Sequence, residues 1–406
     1  MRRSVVDRAG SLIHRVGVNV LTFLILFFSL LTLSVAKPTQ PEGFKKLPIG
    51  DPAPDFNLKG VDGKMYSLET FSQGRLLMVM FTCNHCPSAQ ALESRFKKYV
   101  DTYRPKGVEV VCISPNAPVG IRPDELGYSQ YGDSYEDMVK HAAEQGFNFP
   151  YLYDGDTQEV AKAYGCLATP HVFIFDEERR LRYQGRFDDS RFAVIDTIKS
   201  HDAIVATDAL LAARDVPITV TRPHGCSTKW AEKASAVKAH AEKLAATPVN
   251  LENLDAVGLS RMIKTFPRFR MVNVWATWCS PCVEEFPDLV AVARKFGLRD
   301  FEFVTLSLDK PSDSRRAQEF LQKQSVAPEP KLARALKAEG RTTTHYLFTG
   351  STDELAEVLD PEMPGPIPHT VLLNEKGEVV YRHTGIIDRH EVTAKILDEL
   401  GKYYLP

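Results

Sequence analysis

The sequence has no surplus of positive charge. Its 50 lysines and arginines stand against 52 aspartates and glutamates, a formal net charge of −2 over 406 residues. No basic field gathers phosphates, which argues against a nucleic-acid partner. No low-complexity tract interrupts the chain, and 44% hydrophobic with 25% charged residues describe a body that folds. Cysteine is scarce, with seven residues at positions 83, 86, 112, 166, 226, 279 and 282, so at least one stays unpaired within the chain. The two CxxC pairs lie far beyond the roughly 15–20 residues that bring four thiolates onto one zinc ion. Long apolar runs are confined to one place, the N-terminus.

There, four arginines (Arg2, Arg3, Arg8, Arg15) precede a stretch uncharged from Val18 to Ala36 that ends in the small-x-small pattern Ser34-Val35-Ala36. This layout predicts a cleaved signal or an uncleaved anchor over residues 1–36, with residues 18–36 then tethering the chain to a membrane. Either outcome exports everything after Lys37. In an oxidising compartment the remaining cysteines are drawn toward disulfides.

A repeat emerges when the CxxC pairs are used as rulers. Cys83 and Cys279, and likewise Cys86 and Cys282, lie 196 residues apart, while "TPHVFIFD" and "IPHTVLLN" place Pro170 and Pro368 198 apart. Each copy predicts a buried strand, the CxxC, an amphipathic helix, a second strand, further helices and a terminal hairpin: 76–82, then "VEVVCIS", then "HVFIFD" with "LRYQGRF" in the first, and 270–277, then "FEFVTLSL", then "HTVLLNEKGEVVYRH" in the second. The fold class expected is α/β, two tandem sheets layered by helices. Helix-forming stretches between them, around the polar break "DVPITVTRPHGCSTK", read as a helical connector over 189–250. "NAPVGIRPDELGYSQYGD" and "SVAPEPKLARALKAEGRTTT" read as loop-like insertions.

A CxxC where a buried strand enters a helix places its first sulfur at the helix N-terminus, where free N–H groups favour the thiolate, and its second sulfur where it resolves a mixed disulfide. A metal clamp or a structural staple fits less well, because so short a loop constrains little chain. Cys83 and Cys279 are the expected attacking thiols, Cys86 and Cys282 the resolving ones. His85, between two cysteines, would stabilise a thiolate when protonated. Cys112 reads as core, whereas Cys166 and Cys226 would bridge the connector to the first copy or supply a third redox thiol.

On these motifs the chain resembles the thioredoxin superfamily, with two of its branches in tandem. "VNVWATWCSPCVEEFP" resembles the thioredoxin-like proteins that reduce disulfides in cytochrome c maturation, and covers 251–406 as a domain. That resemblance implies roles for Trp278 before the dithiol, for the acid Glu285, for the helix-kinking Pro287, and for a cis-proline, Pro368, after Ile367. "IGDPAPDFNLKGVDGKMYSLETF", "CNHCP" and "YGCLATPHVFIFD" resemble the AhpC/TSA redoxin branch over 46–188, with Pro170 after Thr169 as its cis-proline. There the resemblance puts Thr82 in place of the tryptophan and Ala89 in place of Glu285. It implies protein thiols and disulfides as partners, an unidentified membrane or exported electron donor, and no metal or organic cofactor. Two rivals stay open. A thiol peroxidase would carry Thr or Ser three residues before its reactive cysteine, where Met80 and Cys83 stand here. A non-catalytic client-binding module would have lost cysteines that both motifs keep.

Overall fold

The computed structural model describes residues 40–406, so the signal or anchor expected over residues 1–36 lies outside the described residues. Among the described residues no helix is long and apolar enough to cross a membrane.

The first copy opens with a hairpin of β1 (Asn57–Gly60) and β2 (Met65–Ser67), followed by β3 (Leu76–Phe81). Then come α1 (Pro87–Tyr103), β4 (Val108–Ser114), α2 (Tyr135–Gln145), β5 (Tyr151–Tyr153) and α3 (Glu159–Tyr164). A two-residue strand, β6 (Ala168–Thr169), precedes the hairpin β7 (His171–Phe175) and β8 (Leu181–Gly185), and α4 (Asp202–Leu211) follows. The sheet order is β2-β1-β5-β4-β3-β7-β8, with β3, β4 and β5 parallel and the hairpin antiparallel. Every residue of β3 is buried, which explains its unbroken apolar run: a central strand covered on both faces has no solvent side to alternate with. Leu76, Met78 and Met80 face Phe96 and Tyr99 of α1, whereas Leu77, Val79 and Phe81 face Tyr164 and Trp230.

Helix α4 corrects the connector expected over 189–250. Ala203 and Ala206 pack into the α1 side of the first sheet, and Tyr99 Oη and Thr207 Oγ1 are 2.7 Å apart, so α4 is that sheet's closing helix. The polar break is structured too. Thr219 and Thr221 bond the backbone of Gln184 at the edge of β8, and β9 (Cys226–Ser227) pairs antiparallel with β6. Helix α5 (Ala234–Ala246) leads on to the second copy.

That copy runs β10 (Glu252–Leu254), α6 (Ala256–Thr265), β11 (Phe269–Trp275), α7 (Ser280–Lys295), β12 (Phe301–Ser307), α8 (Ser314–Lys323) and α9 (Pro330–Ala338). It closes with β13 (His345–Phe348), α10 (Thr352–Leu359), β14 (His369–Leu373), β15 (Val379–Thr384) and α11 (Arg389–Leu400). Its order β10-β13-β12-β11-β14-β15 repeats the first sheet's plan of parallel strands with an antiparallel hairpin on one side, but here four strands are parallel, because β10 joins β13 parallel where β1 joins β5 antiparallel. Inside it Glu302 is fully buried, held by Arg268, Arg270 and Arg341. The insertion after β4 reaches the second copy: Gly127 and Gln130 accept hydrogen bonds from Arg299 (2.6 Å) and Lys295 (2.8 Å).

Candidate functional site

In the second copy Cys279 is the residue that caps α7, and it forms a disulfide with Cys282. Its Sγ accepts the Cys282 N–H at 3.3 Å and lies 3.6 Å from the carbonyl oxygen of Ile367, whose bond to Pro368 is cis. Trp278 beside it is 62% exposed, an apolar surface next to the sulfurs. Pro287 lies inside α7, as a residue without an N–H to donate. Glu285, three residues after Cys282 in α7, is buried, and Asn273 Nδ2 (2.8 Å) and the Ile387 N–H (3.0 Å) donate to its two oxygens. Burial pushes its carboxyl up to about 7 despite those donors, so it takes up and releases a proton near neutrality.

The first copy has a different register. Phe81 pairs with His171, the residue after cis-Pro170, and Val274 pairs with His369, the residue after cis-Pro368. Counting five residues on from each gives Cys86 and Cys279, and the next residue in each case begins the helix. The match of Cys83 with Cys279 expected from the 196-residue spacing is therefore off by one CxxC step. Cys86 holds the place of Cys279, and Cys83 lies in the loop before the helix. His85 stands where Trp278 does, Thr82 where Trp275 does, Ala89 where Cys282 does, and Leu92, not Ala89, where Glu285 does.

The electrostatics follow the register. Burial would raise the Cys86 thiol, but hydrogen bonds from Cys226 and Cys83, the positive charge of His85 and the Ala89 N–H bring it well below the usual thiol value. Burial pushes Cys83 well above that value, reinforced by its bond to Cys86 and by the Asp133 charge. Cys86 is thus the more acidic sulfur of the pair, the reverse of the order expected with Cys83 as attacker and Cys86 as resolver. Thr169 serves both sulfurs: its Oγ1 is 2.9 Å from Cys83 Sγ, and its carbonyl accepts from the neutral Cys86 thiol at 3.2 Å.

Asp133, which nothing in the sequence singled out, organises the loop. Its Oδ1 accepts the N–H groups of Asn84 (2.9 Å) and His85 (3.2 Å), and its Oδ2 lies 2.6 Å from His85 Nδ1 and accepts from Asn116 Nδ2 at 2.7 Å. Burial lowers His85, yet Asp133 overrides it and raises the imidazole above its ordinary range; in turn His85 outweighs burial and holds Asp133 low. Cys83, His85 and Asp133 also bring one ligand atom each within 4.8 Å of one another and could hold a soft divalent ion.

Cys112 is buried in β4. Cys166 is buried and free, with its thiol 3.4 Å from both the Ala168 carbonyl and Thr228 Oγ1. The bridge from Cys166 to Cys226 is not formed. The strand pairing sets Cys226 opposite Thr169 instead and aims its N–H at Cys86 Sγ, 3.2 Å away. Only the spacing "GCSTK" after the connector helix marked this in the sequence, and it did not say which cysteine would be met.

The chain matches the AhpC/TSA family over residues 49–184 and the Redoxin family over 256–399. It is 26% identical over 136 residues to a thiol:disulfide interchange protein DsbE homolog of Paracoccus denitrificans, covering 34% of this chain and 62% of that protein. A Mycobacterium tuberculosis protein provisionally named a peroxiredoxin is 26% identical over 128 residues, covering 32% of this chain and 70% of its own. Among solved structures, a hypothetical protein of Sinorhizobium meliloti 1021 is 34% identical with a TM-score of 0.41, covering 46% of this chain and 96% of its own. The chain thus spans only about three fifths of the first of these curated relatives. With a domain of the AhpC/TSA family followed by one of the Redoxin family, the chain belongs to the thioredoxin superfamily.

Proposed function

We propose that this chain is an exported thiol–disulfide oxidoreductase acting on protein disulfides through two separate centres, Cys83/Cys86 and Cys279/Cys282. The observation that carries the reading is the second centre, where a disulfide sits at the start of a helix, an exposed tryptophan flanks it and a buried acid with a carboxyl near 7 follows three residues on in the same helix. Thiol chemistry needs these parts: a sulfur stabilised as thiolate, an apolar surface to hold a client, and a group to move the proton between paired sulfurs. The name of the Paracoccus relative supports it. Export rests on the basic-then-apolar N-terminus, which leaves the chain free or anchored through residues 18–36. Its electrons come from an exported or membrane donor, and the two centres relay them.

The mycobacterial relative's name favours a second reading for the first copy, a thiol peroxidase at Cys86. Redox titration of the chain with either cysteine pair replaced by serine, with insulin reduction and peroxide consumption followed in parallel, separates the two. Two titrating couples with insulin reduction support the oxidoreductase. Rapid peroxide consumption lost only in the Cys83→Ser/Cys86→Ser variant makes the first copy a peroxidase.

A further inference from the structure

The two centres are equally buried, with Cys279 and Cys282 5% and 0% exposed, and differ in what lies against them. Cys83 and Cys86 are 2% and 0% exposed, and the chain's own segment between α4 and α5 lies against Cys86. This strap is pinned at both ends. Thr219 and Thr221 hold the edge of β8, and Lys229 accepts the Ala117 N–H (2.9 Å) while donating its own N–H to Asn116 Oδ1 (2.9 Å). Its middle is built for close approach: Gly225 has φ +146°, and a Cβ there would fall 2.0 Å from the Thr169 carbonyl oxygen. Immediately after it the Cys226 N–H donates to Cys86 Sγ (3.2 Å), and the Cys226 side chain packs against the Cys83/Cys86 cluster. At the equivalent place in the second copy, Ile367 has no strand laid on it among the described residues.

We propose that Cys226 is the resolving thiol of the first copy, carried on a strap that stands in for a client strand: it shields Cys86, leaves to admit a disulfide, and returns to expel the product as a Cys86–Cys226 disulfide. The proposal rests on the oxidoreductase reading. No bulky disulfide reaches a fully covered sulfur, so the strap must unpair from Thr169 before Cys86 can react. The Cys86 thiolate then attacks one sulfur of the incoming disulfide R–S–S–R′; the Cys86–SR bond forms, the old S–S bond breaks, and R′S⁻ takes a proton from solvent. When the strap returns, Cys226 attacks Cys86 Sγ, the Cys86–Cys226 bond forms, and RS⁻ leaves with the proton that Cys226 gives up. Two electrons pass from the cysteine pair to the incoming disulfide, which is the oxidant.

Oxidised glutathione is the probe, applied to the reduced full chain and to its Cys83→Ser variant, with tryptic mapping by mass spectrometry. Cys83 and Cys86 share peptide 76–95 while Cys226 lies in peptide 215–229, so the two outcomes have different masses. The expected product is the cross-linked pair of peptides in both proteins. Adding Cys226→Ser to Cys83→Ser should leave glutathione on Cys86, and Gly225→Ala should speed alkylation of Cys86 in the reduced chain by lifting the strap. A loop confined to peptide 76–95 in the wild type, with glutathione retained on Cys86 in Cys83→Ser, overturns the proposal and leaves the oxidoreductase reading standing. Failure of Cys86 to exchange at all overturns both.

Discussion

Cys86 and Cys279 occupy the same place in their two sheets, each five residues past the strand residue that pairs with the histidine following a cis-proline. The second cysteine of one motif is thus the counterpart of the first cysteine of the other. Both cap the helix that follows. A thiolate is stabilised at a helix N-terminus by the free N–H groups there, and this favours Cys86 and Cys279 as the attacking sulfurs.

Cys86 should therefore be the more acidic thiol of the first copy. In a pH series of iodoacetamide alkylation, read by mass spectrometry on the Cys83→Ser and Cys86→Ser variants, Cys86 should react well below the ordinary thiol range and Cys83 only above it. Equal profiles would undo the assignment.

The buried pair His85–Asp133 should matter most at intermediate pH. The raised imidazole contributes stability in full below the ordinary histidine value of 6.5 and loses it as pH rises through its folded value. The lowered carboxyl contributes in full above the ordinary 3.8 and loses it as pH falls through its folded value. Asp133→Asn should cost about 3–5 kcal/mol between those limits, the range for breaking a buried ion pair, and less as the medium becomes alkaline. Urea unfolding of both proteins at several pH values measures the difference.

Glu285 should give the opposite trend from Asp133. Its raised carboxyl contributes stability fully below 4.5, and that stability is lost as pH rises through about 7. Relative to Glu285→Gln, the wild type should lose about 3 kcal/mol between pH 4 and pH 8, the equivalent of its shift. Thiol exchange at Cys279–Cys282 should show an inflection near pH 7 that the variant lacks. A pH-independent stability difference would show that the carboxyl titrates normally.

Glu302 tests the packing of the second sheet apart from the chemistry. It and Arg270 are both fully buried, and Arg268 and Arg341 complete its partners. Glu302→Ala leaves three arginines without their shared carboxylate and should lower stability by about 3–5 kcal/mol, read as a fall in the urea midpoint. An unchanged midpoint would mean the arginines find other partners.

The sequence made much of the fold legible because its signals are local. The run "LLMVMF" could only be a covered strand, the helix after each CxxC carries an apolar face, and the hairpins announce themselves by alternation around charged turns. The repeat followed from equal spacings. Equal spacing, however, fixes order along the chain and not register in a sheet. The loop from β3 to its helix holds its CxxC three residues earlier than the loop after β11 does, so only pairing across β7 and β14 could show that Cys86, not Cys83, matches Cys279.

What the sequence by itself determined is the inventory: two α/β copies, two dithiols, two prolines facing them, and a cysteine left in a polar connector. What only the tertiary structure decided is which of these meet. Asp133 comes to His85 from 48 residues away, Cys226 to Cys86 from 140, and α4 joins the sheet rather than the linker. Such contacts are bought with buried surface and hydrogen bonds between segments distant in the chain, and local pattern carries no record of their partners.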